Sequence, residues 1–231
     1  MESNKNHIIF DLDDTIWDYQ RNSNETLDEL HTSFNVNCHG VNRDNFRDTF
    51  REVNNQLWDD FDKGVISRDV IRKQRFPKIF EKLSLDLNGV AMQMQDSFMQ
   101  ICSSKPSLVA GAQKVLDKFK NKYKFHILSN GFDEIQFVKL KAAGIEHYFD
   151  KVITSGRAGF RKPELEIFEF TLNEIGAKPE ECVMIGDNPI SDIEGAYRYG
   201  IDQVYYNVHN KECAITPTYT ISNFNELINI L

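Results

Sequence analysis

Beyond about residue 106 the chain alternates short apolar runs with amphipathic stretches, the pattern of repeated βαβ units whose parallel strands are buried on both faces. Five runs, the first of them near the N-terminus, are too short for helices and rich in β-branched or aromatic residues. They predict strands at His7 to Asp11, Phe125 to Ser129, Asp150 to Thr154, Cys182 to Gly186 and Gln203 to Tyr206. Helical spacing marks Ala112 to Tyr123, Asp133 to Ala143, Pro163 to Ile175 and Ile190 to Arg198. Gly144, Gly176 and Gly200 close three of these stretches, where a left-handed residue is wanted.

The interval from Thr15 to Ser129 is far longer than the dozen or so residues a strand crossover needs, so something is inserted there. That insertion reads as helical. Phe46, Phe50, Val53, Leu57 and Phe61 recur at spacings of three and four, Ala91, Met94, Phe98 and Ile101 make a second stripe, and Ser67 can cap the stretch between. The expected architecture is α/β: a Rossmann-like parallel-sheet core from residues 1–16 and 106–231, carrying an inserted all-helical cap domain at 17–105.

Composition narrows the function. Hydrophobic residues make up 41% of the 231 and charged residues 27%, the balance of a folded globular protein. The formal net charge of −8 has the wrong sign for tracking a nucleic acid polymer, but does not disfavour a small phosphorylated metabolite. Cys38, Cys102, Cys182 and Cys213 lie far apart and form no metal-binding or disulfide pattern. No apolar run approaches the roughly 20 residues a bilayer needs, and the polar Met1 to His7 segment lacks a signal-peptide pattern. The expectation is a cytoplasmic protein with no membrane partner; monomer and dimer stay open.

The candidate chemistry sits at strand ends, where ligands bind in parallel α/β sheets. The first strand ends in Asp11-Leu12-Asp13-Asp14-Thr15, and the alternation of an extended segment lets Asp11 and Asp13 face one site. Crowded carboxylates are relieved by a hard cation such as Mg2+. An acidic helix-capping turn accounts for the segment too. The fourth strand ends in Gly186-Asp187-Asn188-Pro189-Ile190-Ser191-Asp192, where Asp187 or Asp192 serves either a metal or a helix cap. Ser129-Asn130-Gly131-Phe132 offers a hydroxyl, an amide and a glycine that permits close backbone approach, and Arg161-Lys162-Pro163 places two cations before a helix.

Taken in order, DxDxT, SN, KP and GDxxxxD resemble the four motifs of the haloacid dehalogenase superfamily, and the position of the insertion resembles its first class of helical cap. The resemblance implies a Mg2+-dependent phosphomonoester hydrolase. Asp11 would be the nucleophile that becomes an aspartyl phosphate, and Asp13 the general acid and base. The metal would be held by Asp11, the backbone carbonyl of Asp13 and Asp187, with Asp192 in support. Ser129, the Asn130 backbone and Lys162 would bind the phosphoryl oxygens. Dehalogenases of the superfamily lack an acid at the Asp13 position and need no metal, so the resemblance favours phosphate over halide chemistry. The segment Ser129 to Asp133 with Lys141, Gly144-Ile145 and Tyr148 to Asp150 is similar to the branch containing bacterial pyrimidine 5′-nucleotidases. A nucleoside 5′-monophosphate is therefore the expected substrate, with Trp17 and Phe132 as aromatic faces for its base. A sugar-phosphate phosphatase, a phosphotransferase or mutase, and a catalytically silent phosphate-binding protein are the alternatives.

Overall fold

The computed structural model describes residues 4–85 and 89–231; the first three residues of the polar N-terminus and 86–88 of the insertion lie outside the described residues. Strands β1 (His7–Phe10), β2 (Lys124–Ser129), β3 (Phe149–Thr154), β4 (Cys182–Gly186), β5 (Asp202–Tyr206) and β6 (Tyr219–Ile221) form one sheet in the order β3-β2-β1-β4-β5-β6. Every neighbouring pair is parallel. The five strands expected from apolar runs are all present. The sixth, β6, is three residues on the sheet's edge, too short to leave a run in the sequence.

The chain divides into two compact units, residues 1–19 with 106–231, and residues 20–105. The second unit is helical: α1 (Tyr19–Ser33), α2 (Arg43–Asp62), α3 (Arg68–Lys82) and α4 (Val90–Ser103). Asn42 caps α2 by accepting from the Asn45 amide, whereas Ser67 precedes α3 in extended conformation without a side-chain cap bond. The α2 stripe from Phe46 to Phe61 is buried as expected. In α4 the buried face is rotated slightly, to Met94, Gln95, Phe98, Met99 and Cys102, leaving Ala91 and Ile101 half-buried. The reason is polar: buried Arg75 donates to Gln95 Oε1 at 3.1 Å, to Asn54 Oδ1 at 2.9 Å and to Met99 Sδ at 3.2 Å, drawing Gln95 inward. Its guanidinium also lies over the Phe50 and Phe98 rings.

In the sheet unit, α5 (Ala112–Phe119), α6 (Asp133–Ala142), α7 (Ser155–Ala158), α8 (Leu165–Ile175), α9 (Gly195–Tyr199) and α10 (Leu227–Ile230) flank the strands. Ile9, Leu128, Ile153 and Met184 pack against Ile167, Phe168 and Leu172 of α8 and Ala196 of α9. Phe10 meets Phe125 and Phe149 edge-on, with ring centroids 5.5 and 6.4 Å away. Between β4 and α9 the expected helix is replaced at its start by a π-helical segment, Pro189–Glu194, a wider turn that is frequent at functional sites. No described helix is long and apolar enough to cross a membrane.

His7 and His126 stack on adjacent strands, with Nδ1 and Nε2 3.0 Å apart. Burial, then the facing His7 and the nearby Lys124 and Lys151, push His126 down to about 3. Burial and Lys124 lower His7 as well. A histidine held neutral in the folded protein is protonated first in the unfolded chain, so its contribution is complete above 6.5 and is lost as pH falls toward 3. For His126 the loss amounts to about 1.4 kcal/mol per pH unit. Thermal unfolding followed from pH 7 downward should show a decline that is shallower in His126→Leu; equal slopes would remove His126 from the account.

Candidate active site

Asp11 follows β1 directly, and its amide continues the ladder by donating to Ile185 O at 2.9 Å. The strand therefore delivers its carboxylate to the sheet's C-terminal edge. From across the sheet comes Lys162, 1% exposed, whose ammonium donates to Asp11 Oδ1 at 2.6 Å, Asp192 Oδ1 at 2.6 Å and Leu128 O at 2.8 Å. Three acceptors satisfy its three protons. Burial alone would lower the lysine, but Asp11 and Asp192 outweigh it and hold it above the ordinary value. Of the two cations that precede the helix in sequence, Lys162 thus forms a buried ion pair.

Asp11, Asp187 and Asp192 each bring a carboxylate oxygen within 4.8 Å of the others. Burial pushes Asp11 up to about 7 against the pull of Lys162, with Asp192 and Asp13 adding to the rise. Asp187 is raised well above the carboxylate range by desolvation, then by Asp11, Asp192 and Asp14. Lys162 is bonded to two of these three carboxylates, Asp11 and Asp192, and a hard divalent cation that prefers oxygen ligands fits the donor set of all three. The Asp13 carboxylate is not in the cluster. Thr15 Oγ1 donates to Asp187 Oδ1 at 3.4 Å, linking the first and fourth motifs.

Neither Asp187 nor Asp192 caps the helix after Pro189. That task falls to Asn188, whose Oδ1 accepts from the Ile190 and Ser191 amides at 2.9 and 3.0 Å. Asp192 is 1% exposed, and its Oδ2 instead accepts from the Asn188 amide at 3.1 Å. Its carboxylate lies so close to β4 that a Cβ on Gly186 would sit 2.3 Å from Oδ2. Glycine is required there by the approach of an acid.

The second motif divides its labour. Ser129 Oγ accepts from the Gly131 amide at 3.1 Å and from Gln136 Nε2 at 2.8 Å. The Asn130 side chain turns away to clasp the Lys162 backbone, donating to its carbonyl and accepting from its amide, both at 2.9 Å. It holds the segment that carries Lys162. Gly131 makes room chiefly for protein, since a Cβ there would sit 1.6 Å from Gln136 Nε2.

Asp13 meets two residues that motif reading misses. Lys139 Nζ donates to both of its carboxylate oxygens, at 2.6 and 2.8 Å, and Gln136 Nε2 donates to Oδ2 at 3.1 Å. Both come from α6, whose faces are inverted: Gln136 and Lys139 are buried while Phe137 and Val138 are exposed. Polar residues in step with Leu140 on the inward face were the signal available in the sequence. Trp17 belongs to the sheet unit and is fully buried, with the Lys139 ammonium 4.6 Å from its ring centroid. Phe132, at the start of α6, is half-buried.

The ends of β1, β2 and β4 thus bring Asp11, Ser129 and Asp187 to one edge of the sheet, beside the buried Lys162 and Asp192. The sequence model of the haloacid dehalogenase-like hydrolases matches residues 5–200, and the chain belongs to that family. It is an enzyme of the family's phosphatase kind, carrying the acid at Asp13 as well as the one at Asp11. The chain is 30% identical over 227 residues to pyrimidine 5′-nucleotidase YjjG of Escherichia coli (strain K12), covering 97% of this chain and 96% of that one. It is 27% identical over 228 residues to pyrimidine 5′-nucleotidase PynA of Streptococcus pneumoniae (strain ATCC BAA-255 / R6), covering 97% and 94%. The crystal structure of the magnesium-bound HAD-hydrolase YfnB from Bacillus subtilis superimposes with a TM-score of 0.90 at 25% identity, over 99% of each chain.

Proposed function

We propose that the protein is a cytoplasmic, Mg2+-dependent phosphomonoesterase that works through an aspartyl phosphate on Asp11 and acts on nucleoside 5′-monophosphates, pyrimidine nucleotides foremost. The observation that carries this reading is the buried Lys162 bound to Asp11 beside Asp187 and Asp192. The likeness to two pyrimidine nucleotidases over almost the whole chain supports the substrate class.

Asp11, Asp187, the backbone carbonyl of Asp13 and, in support, Asp192 would hold Mg2+, which supplies charge neutralisation between carboxylates and phosphate. An oxygen of Asp11, its carboxylate oriented by Lys162, attacks phosphorus, and the bond from phosphorus to the ester oxygen breaks. Asp13 gives its proton to that oxygen, so the nucleoside leaves as an alcohol. Ser129, the Asn130 backbone and Lys162 receive the negative charge spreading over the phosphoryl oxygens. Asp13, now a carboxylate, takes a proton from the water whose oxygen attacks phosphorus. The bond to Asp11 breaks, inorganic phosphate leaves, and both acids return to their starting states. The helical insertion acts as the selectivity-bearing cap, and Phe132 offers a face to the base.

Asp13→Asn should lower kcat/KM by about 10²- to 10⁴-fold, the usual worth of a general acid. An unchanged value would contradict its role. For the substrate, phosphate release is measured from pyrimidine and purine monophosphates and from sugar phosphates, with Mg2+ and with a chelator. Pyrimidine monophosphates should be turned over best, and the chelator should stop release. Faster release from sugar phosphates would overturn the nucleotide assignment, and conversion to an isomeric sugar phosphate would indicate a mutase.

A further inference from the structure

We infer that Gln136 and Lys139 are positioning residues for the reaction, tying the acid/base Asp13 to the phosphoryl-binding Ser129 through a single amide. The inference rests on the acid/base reading of Asp13 above. Gln136 Nε2 has two protons and spends both, one on Asp13 Oδ2 at 3.1 Å and one on Ser129 Oγ at 2.8 Å. Its Oε1 is buried without a hydrogen-bond partner, so the two acceptors of Nε2 set the amide's orientation. The reverse orientation would press Oε1 against the Asp13 carboxylate.

The bond to Ser129 has a consequence for phosphate binding. A hydroxyl has two acceptor sites and one donor proton. Ser129 Oγ fills both acceptor sites, with the Gly131 amide and with Gln136. Its remaining capacity is to donate, which is what a phosphoryl oxygen requires. Lys139 fixes the other partner: its ammonium grips both oxygens of Asp13, is 6% exposed, and is backed by the face of Trp17. The two residues are placed by one rigid element, because Gln136 and Lys139 stand three apart on α6 and share its inward face. Gly131 belongs to the device, since any Cβ there would displace the Gln136 amide.

A proton donor matters most when the leaving group is poor, and this separates positioning from packing. The test measures kcat/KM with Mg2+ on phenyl phosphate, which needs protonation of its leaving oxygen, and on p-nitrophenyl phosphate, whose leaving group departs more readily as an anion. Gln136→Met and Lys139→Met should each lose about 100-fold on phenyl phosphate and less than about 10-fold on p-nitrophenyl phosphate. Lys139→Arg, which restores the cation, should recover most of the loss. Gly131→Ala should show the same split as Gln136→Met, and it keeps the inference testable if the methionine variants do not fold. Asp13→Asn is the reference. If it splits the two esters while the Gln136, Lys139 and Gly131 variants lose both equally, their role is packing and the inference is overturned. If Asp13→Asn itself shows no split, the acid assignment fails and takes this inference with it.

Discussion

Asp11→Asn should leave a folded protein that releases phosphate at least about 10⁴-fold more slowly than the parent, because the step that divides hydrolysis in two loses its nucleophile. The fold should survive. An asparagine oxygen can still accept from Lys162, which keeps Asp192 as its second partner. The substitution also removes a carboxylate that burial raises to about 7, a group that costs the folded state stability as pH climbs from 3.8 to that value. In chelator at neutral pH, Asp11→Asn should therefore unfold at no lower temperature than the parent. Loss of activity with full retention of stability is the signature of a residue placed for chemistry. Loss of both would return Asp11 to a structural role.

Lys162→Met should have the largest effect on stability. It removes the one ammonium shared by Asp11 and Asp192 and leaves their carboxylates buried without it, a cost of about 3–5 kcal/mol. The pH dependence follows from the same ion pair. Asp11 is ionised above about 7, and Lys162 is charged below its raised value, so the pair contributes fully between about 7 and 10.5. Below about 7 Asp11 takes up a proton and the lysine matters less. Metal-free unfolding at about pH 6 and about pH 9 should show a larger gap between parent and variant at the higher pH. A gap that is constant, or larger at the lower pH, would show that Lys162 stabilises by packing its alkyl chain rather than by its charge.

The sheet was legible because parallel strands buried on both faces read as continuous apolar runs, as in Ile8-Ile9-Phe10 and Val183-Met184-Ile185. The edge strand β6 was not, since its three residues, one half-buried, one exposed and one buried, leave no run. The acids and the lysine were legible as motifs because their spacing is tied to strand ends. Side-chain direction was not. The sequence placed Trp17 near the first motif but could not say that its ring is sealed beneath Lys139. It placed a helix from Asp133 but not its inverted faces, because the turn at Gly131 and the buried Leu140 set the rotation of α6, and that rotation brings Gln136 and Lys139 to Asp13. The Asn130 amide illustrates the same limit: its partner, the Lys162 backbone, lies far along the chain and becomes a neighbour only through the sheet.

Phosphate passes through Asp11 in this mechanism, and that intermediate can be trapped. A nucleoside monophosphate labelled in its phosphoryl group is mixed with the Mg2+-loaded enzyme and quenched in acid during turnover, and the labelled peptide is mapped. Hydroxylamine-sensitive label, as expected of an acyl phosphate, should appear on the peptide containing Asp11, and none in Asp11→Asn. Release of phosphate with no label on the protein at any quench time, or label on another residue, would contradict it.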